Sequence, residues 1–115
     1  MATKRKGGIK FQLQKMAYHG NGTYLVMEIS NNSEIDFEVD YLKVYSVTGN
    51  KTKKASHQRL EMVPIYKYQV PSKISVGNSK MFVYVLPKFV LGKDEYLEME
   101  LHEGKGSRKV LLRDP

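Results

Sequence analysis

The sequence predicts an all-β protein, an antiparallel Ig-like β-sandwich. Three observations predict it. Apolar residues recur at every second position, while a 3.6-residue period is nearly absent. Glycine-bearing turns separate these runs at short intervals. Val, Ile, Tyr and Phe fill the runs and Ala is scarce, as half-buried pleated surfaces require.

Strands are expected near residues 9–18, 23–30, 36–47, 51–63, 65–70, 80–87, 95–103 and 107–113. In the first, Ile9, Phe11 and Leu13 alternate with Lys10 and Gln12. The turn HGNG (19–22) leads into the second, where Leu25, Met27 and Ile29 share one face. The third opens in EIDFEVDY (34–41). Alternation points Ile35, Phe37, Val39 and Tyr41 inward and Glu34, Asp36, Glu38 and Asp40 into water. The phase slips at Leu42 and Val44, which calls for a β-bulge near 40–42. After VTGN (47–50), the stretch TKKASHQRLEM (52–62) has good helix formers, so a short helix competes with a strand there.

PIYKYQVP (64–71) is bracketed by Pro64 and Pro71, which suits an edge strand. VGNS (76–79) then leads to MFVYVLP (81–87), a run apolar enough to be covered on both faces. Leu97, Met99 and Leu101 alternate with Glu98 and Glu100, and EGKGS (103–107) turns the chain into the last strand. The expected core comprises Phe37, Leu25, Met27, Ile29, Val83, Val85, Met99 and Leu101.

A chain of 115 residues supports one core. Residues 1–8, MATKRKGG, hold basic residues with no apolar run after them, unlike an intact export signal. They are expected to form a flexible lead-in. Residues 9–115 are expected to be a single sandwich, the C-terminal domain of a longer protein. No run of eighteen apolar residues occurs. With no cysteine, disulfides, thiolate metal sites and cysteine nucleophiles are excluded.

No GxSxG, HExxH or P-loop pattern is present, and no enzyme or cofactor is expected. His19 and His57 belong to no nucleophile–base motif. Glu98, Glu100 and His102 alternate on one strand and are the candidate metal ligands. A competing reading places Arg108, Lys109 and Arg113 across the hairpin as their ionic partners. The formal charge is +7, with basic clusters at Lys4–Lys6, Lys51–Arg59 and Lys105–Arg113. Without a recognisable nucleic-acid motif, these are read as solubility and pairing. Tyr66, Lys67 and Tyr68, on the expected edge strand, are the candidate partner-binding residues.

VPIYKY (63–68), GNSK (77–80), LPKF (86–89) and DEYLEMELHEGKGSRKVLL (94–112) together resemble the TraN family of Bacteroides-type conjugative transposons. ISNNSEIDFEVDYLKVY (29–45) resembles the segment before them, and the likeness runs from Ile9 to Leu112. The resemblance implies a structural subunit of a mating apparatus similar to type IV secretion. It implies a periplasmic or outer-membrane-associated place, reached through partners. Those partners would be other subunits of the apparatus, including a small lipoprotein, with no direct nucleic-acid contact. It carries over no catalytic residue. The alternative is a carbohydrate- or nucleic-acid-binding sandwich module using tyrosine and lysine.

Overall fold

Period-two alternation becomes pleat along most of the chain. The computed structural model describes residues 1–49 and 58–114. Ten strands result: β1 (Ala2–Lys6), β2 (Ile9–His19), β3 (Gly22–Asn31), β4 (Phe37–Thr48), β5 (Gln58–Met62), β6 (Tyr66–Tyr68), β7 (Lys73–Ile74), β8 (Ser79–Pro87), β9 (Glu95–Glu103) and β10 (Lys109–Asp114). Among the described residues there is no helix. The first part of the expected 51–63 strand, where a helix competed, lies outside them; Gln58–Met62 is strand.

Two antiparallel sheets form. Sheet one runs β1-β2-β3-β8-β6, and sheet two runs β10-β9-β4-β5 with β7 also on β4. The orders β2-β3-β8-β6 and β10-β9-β4 are the A-B-E-D and G-F-C orders of an immunoglobulin-type sandwich. β5 extends the second sheet and β1 precedes the first. The smallest dimension, 22 Å, fits two layers about 10 Å apart with side chains outside them. Phe11, Leu13, Leu25 and Met27 meet Val44, Leu97, Met99 and Leu101 between the sheets, all fully buried.

The expected bulge is present: register shifts between Val39 and Tyr41, so Leu42 and Val44 turn inward. Three expectations need correction. Residues 2–6 pair with β2 through a two-residue Gly7-Gly8 turn, so the lead-in is an edge strand. Both glycines have positive φ, as a type I′ hairpin requires. In EIDFEVDY two residues expected inward face out: Ile35 precedes β4 and is 63% exposed, and Tyr41, past the bulge, lies on the outer face of sheet two beside Glu100 and His102. In β8 the inward parity belongs to Phe82, Tyr84 and Leu86. Val83 and Val85 take the outer parity beside Tyr68 and Tyr66, where Val85 is still buried as expected, at 7% exposed, and Val83 is half-buried. MFVYVLP is apolar at both parities, so alternation alone had nothing to choose by.

Tyr84 also ties the layers together. The β5 ladder ends at Val44↔Met62. Two residues further along β4, the Leu42 carbonyl accepts the Tyr84 hydroxyl at 3.1 Å. Burial pushes that phenol up to about 12.

At one end of the sandwich Arg108 joins three turns. Its Nε and Nη2 donate to the Glu103 carboxylate at 3.0 and 2.8 Å. Its Nη1 donates to the Gly7 carbonyl and to Ser33 Oγ, and Nη2 to the Asp36 carbonyl. Ser33 in turn donates to Oδ1 of fully buried Asn31, whose Nδ2 donates to the carbonyls of Ile35 and Ile74. Gly8 is required here, because a Cβ would lie 2.6 Å from the Ser33 Cβ.

Arg108→Ala leaves Glu103 buried without its cation, and should cost about 3 kcal/mol in urea unfolding. Arg108→Lys should recover only part of this, since an ammonium cannot reproduce the planar fork. A loss under about 0.5 kcal/mol, ordinary for a surface change, would show that the clamp bears no load.

Candidate functional site

The two candidate sets fall on opposite outer faces. Glu98, Glu100 and His102 share the outer face of sheet two, as alternation predicts. Register places Arg113 across from Glu98 and Lys109 across from His102. Arg113 Nε meets Glu98 Oε2 at 2.8 Å. Arg59, from β5, reaches over β4 to both acids, with Nε on Glu98 and Nη2 on Glu100 at 2.8 Å each. Its guanidinium lies 3.5 Å from the Tyr45 ring centroid. The Tyr41 hydroxyl donates to the other Glu100 oxygen.

Guanidinium and phenol donors thus occupy both carboxylates. His102 stacks on Tyr41 with centroids 5.0 Å apart, and its Nδ1 lies 3.6 Å from Asp40. Among the described residues no three His, Cys, Asp or Glu side chains converge as a metal-holding group. The hairpin partner Arg113 was legible from sequence. Arg59 was not, since nothing local ties it to acids about forty residues on. Arg108, expected opposite these acids, belongs instead to the clamp with Glu103. His57 lies outside the described residues.

Burial works against the charged form of Glu98, but Arg113 and Arg59 hold it below the ordinary carboxylate range. Glu100 is likewise opposed by burial and held down by Tyr41 and Arg59. Tyr41, donating to that carboxylate, is pushed up to about 12.

The other set lies on sheet one. β6 pairs with β8 on one side only and forms the sheet's edge, as the bracketing prolines suggested. Tyr66 and Tyr68 are 59% and 50% exposed. Register sets them beside Val85 and Val83, and Val85 beside Tyr24 on β3. With Ile65 these residues line an open groove of about 430 Å³. Lys67 is not part of it. It faces the other way, with Nζ 5.4 Å from the Tyr84 ring centroid, into a separate cleft under Pro64 and Pro71. The structure therefore keeps the tyrosines together and removes the lysine between them. Tyr24, Val83 and Val85 complete the groove. Only the β8 parity, ambiguous in the sequence, could have revealed the two valines.

The chain belongs to the family described as Domain of unknown function (DUF4138), whose profile matches residues 2–113. No curated protein and no solved structure matches it.

Glu98, Glu100 and Glu103 all have folded pKa values below their ordinary one. Their contribution is complete above the unfolded carboxylate value, about pH 4.3, and is lost as pH falls through the depressed folded values. Glu98→Gln should cost about 2 kcal/mol at pH 7, and the difference from the parent should shrink toward pH 3. Melting temperatures across that range check this. A gap that stays constant down to pH 3 would show that the ion pairs contribute nothing.

Proposed function

We propose that this DUF4138 domain is a scaffold of a conjugative-transposon transfer apparatus of the TraN kind, working through protein–protein contact and not as an enzyme. The resemblance of VPIYKY, LPKF and the final hairpin supports the setting. It also supports a periplasmic or outer-membrane-associated place, with other subunits of the apparatus, including a small lipoprotein, as partners. One observation carries the mode of action: an open edge strand stands beside an exposed groove of tyrosine and valine. Monomeric domains seldom leave contiguous apolar surface in water unless something covers it. A partner strand added to β6 would gain backbone hydrogen bonds from the edge and side-chain specificity from the groove. Tyrosines suit the task, offering large rigid contact area at low entropic cost.

The test is a Tyr66→Ala, Tyr68→Ala double variant of the full-length protein. Both rings are exposed, so the variant should fold with a near-normal melting temperature. Losing a hot-spot tyrosine costs at least about 2 kcal/mol, so partner affinity should fall roughly thirtyfold. Assembly and transfer should fall with it. Normal assembly by a folded variant would reject this edge as the docking site.

A further inference from the structure

We infer that the remaining half of the same face, across β1, β2 and β3, binds single-stranded nucleic acid. This goes beyond the scaffold reading and departs from the expectation of no direct nucleic-acid contact. Charge is divided between the sheets. The outer face of sheet one carries three cations, Arg5, Lys10 and Lys15, against one acid, Glu28; Lys4, Lys6 and Lys80 stand on the other parity and Lys67 faces away. That acid accepts a hydrogen bond from Gln14 at 3.1 Å. On sheet two, Arg59 and Arg113 are paired with acids. Among the described residues no cation of sheet one makes an ion pair. Arg5 even stands directly across from Lys10, a like-charge pairing that costs stability until an anion lies over it.

A second feature adds shape to the charge. Register shifts in β2 between Leu13 and Lys15. Without that bulge Lys15 would follow Leu13 into the core. With it, Lys15, Ala17 and His19 all face out, while Met16 packs against the core. Lys15, Ala17, His19, Tyr24 and Val26 then line a trough of about 320 Å³. Ala17 and Val26 form an apolar floor. The Tyr24 and His19 rings meet edge-on at 6.2 Å.

An apolar trough with an aromatic wall fits the flat face of a base, and flanking cations fit the phosphates joined to it. Lys10 and Lys15 lie roughly 15 Å apart along the strand, so a bound chain would cross several nucleotides of surface. An acidic peptide would satisfy the cations and leave the trough unfilled.

The probe is a fluorescein-labelled 20-nucleotide oligo(dT), titrated with the full chain by anisotropy from about 50 to 300 mM salt. Saturable binding is expected, with log K falling against log salt at a slope near −2, as about three phosphate contacts would give. Arg5→Gln, Lys10→Gln, Lys15→Gln together should lower low-salt affinity at least tenfold and flatten that slope. Tyr24→Ala should weaken binding roughly tenfold at an unchanged slope. Ala17→Asp, which places a carboxylate on the trough floor, should do the same and serves if Tyr24→Ala does not fold. Absence of binding at 50 mM salt, or a triple variant that binds like the parent, overturns the inference. So does poly-L-glutamate competing equally per charge with Tyr24→Ala and Ala17→Asp without effect, the result expected of a site for acidic protein.

Discussion

Arg108 on Glu103 is the contact on which the rest of the architecture leans. Immunoglobulin-type sandwiches of antibodies pin their sheets with a disulfide and a buried tryptophan. This chain has neither residue. Its apolar core supplies the driving force but leaves the crossings between sheets unfixed. The guanidinium ties one such crossing, β3–β4, to a hairpin turn of each sheet, β1–β2 and β9–β10, through five donated hydrogen bonds. Because the pair is largely buried, neither partner can leave without stranding the other. The edge strand β1 is held in place by this arrangement as well as by its own ladder.

With that end fixed, the two outer faces take different characters. Sheet two neutralises itself: Arg59 and Arg113 satisfy Glu98 and Glu100, and Arg59 also covers Tyr45. Little on it remains to attract a ligand. Among the described residues sheet one leaves its cations without ion pairs and Tyr66 and Tyr68 in water; the like charges repel one another and the exposed rings are apolar surface open to a partner. Compensation from outside the domain is the physical meaning of the proposed interaction face.

The sequence displayed most of this fold wherever one face was apolar and the other polar. β2, β3 and β9 have their expected core parities, and the slip in EIDFEVDYLKV was visible as a bulge. It failed where alternation carried no contrast. MFVYVLP reads the same in either phase, so Val83 and Val85 were named as core and the aromatic Phe82 and Tyr84 were missed; Val85 is buried all the same, on the outer parity. Residues 2–6 are too polar to signal a strand, although Gly7-Gly8 before IKFQLQ is a legible hairpin turn. The tyrosines of PIYKYQVP were legible as an edge because proline positions are restrictive. Their valine floor was not, because it depends on the β8 pairing. Arg59 and the Arg108 clamp rest on long-range contacts that no local pattern announces.

Under the proposed function, sheet one is the working face and sheet two is closed. A photo-crosslinking residue placed singly at Tyr66, and separately at Lys109 on the rim of sheet two, tests it in cells carrying the transfer apparatus with full-length protein. A discrete protein adduct is expected from position 66 and none from position 109. An adduct from 109 with none from 66 would contradict it.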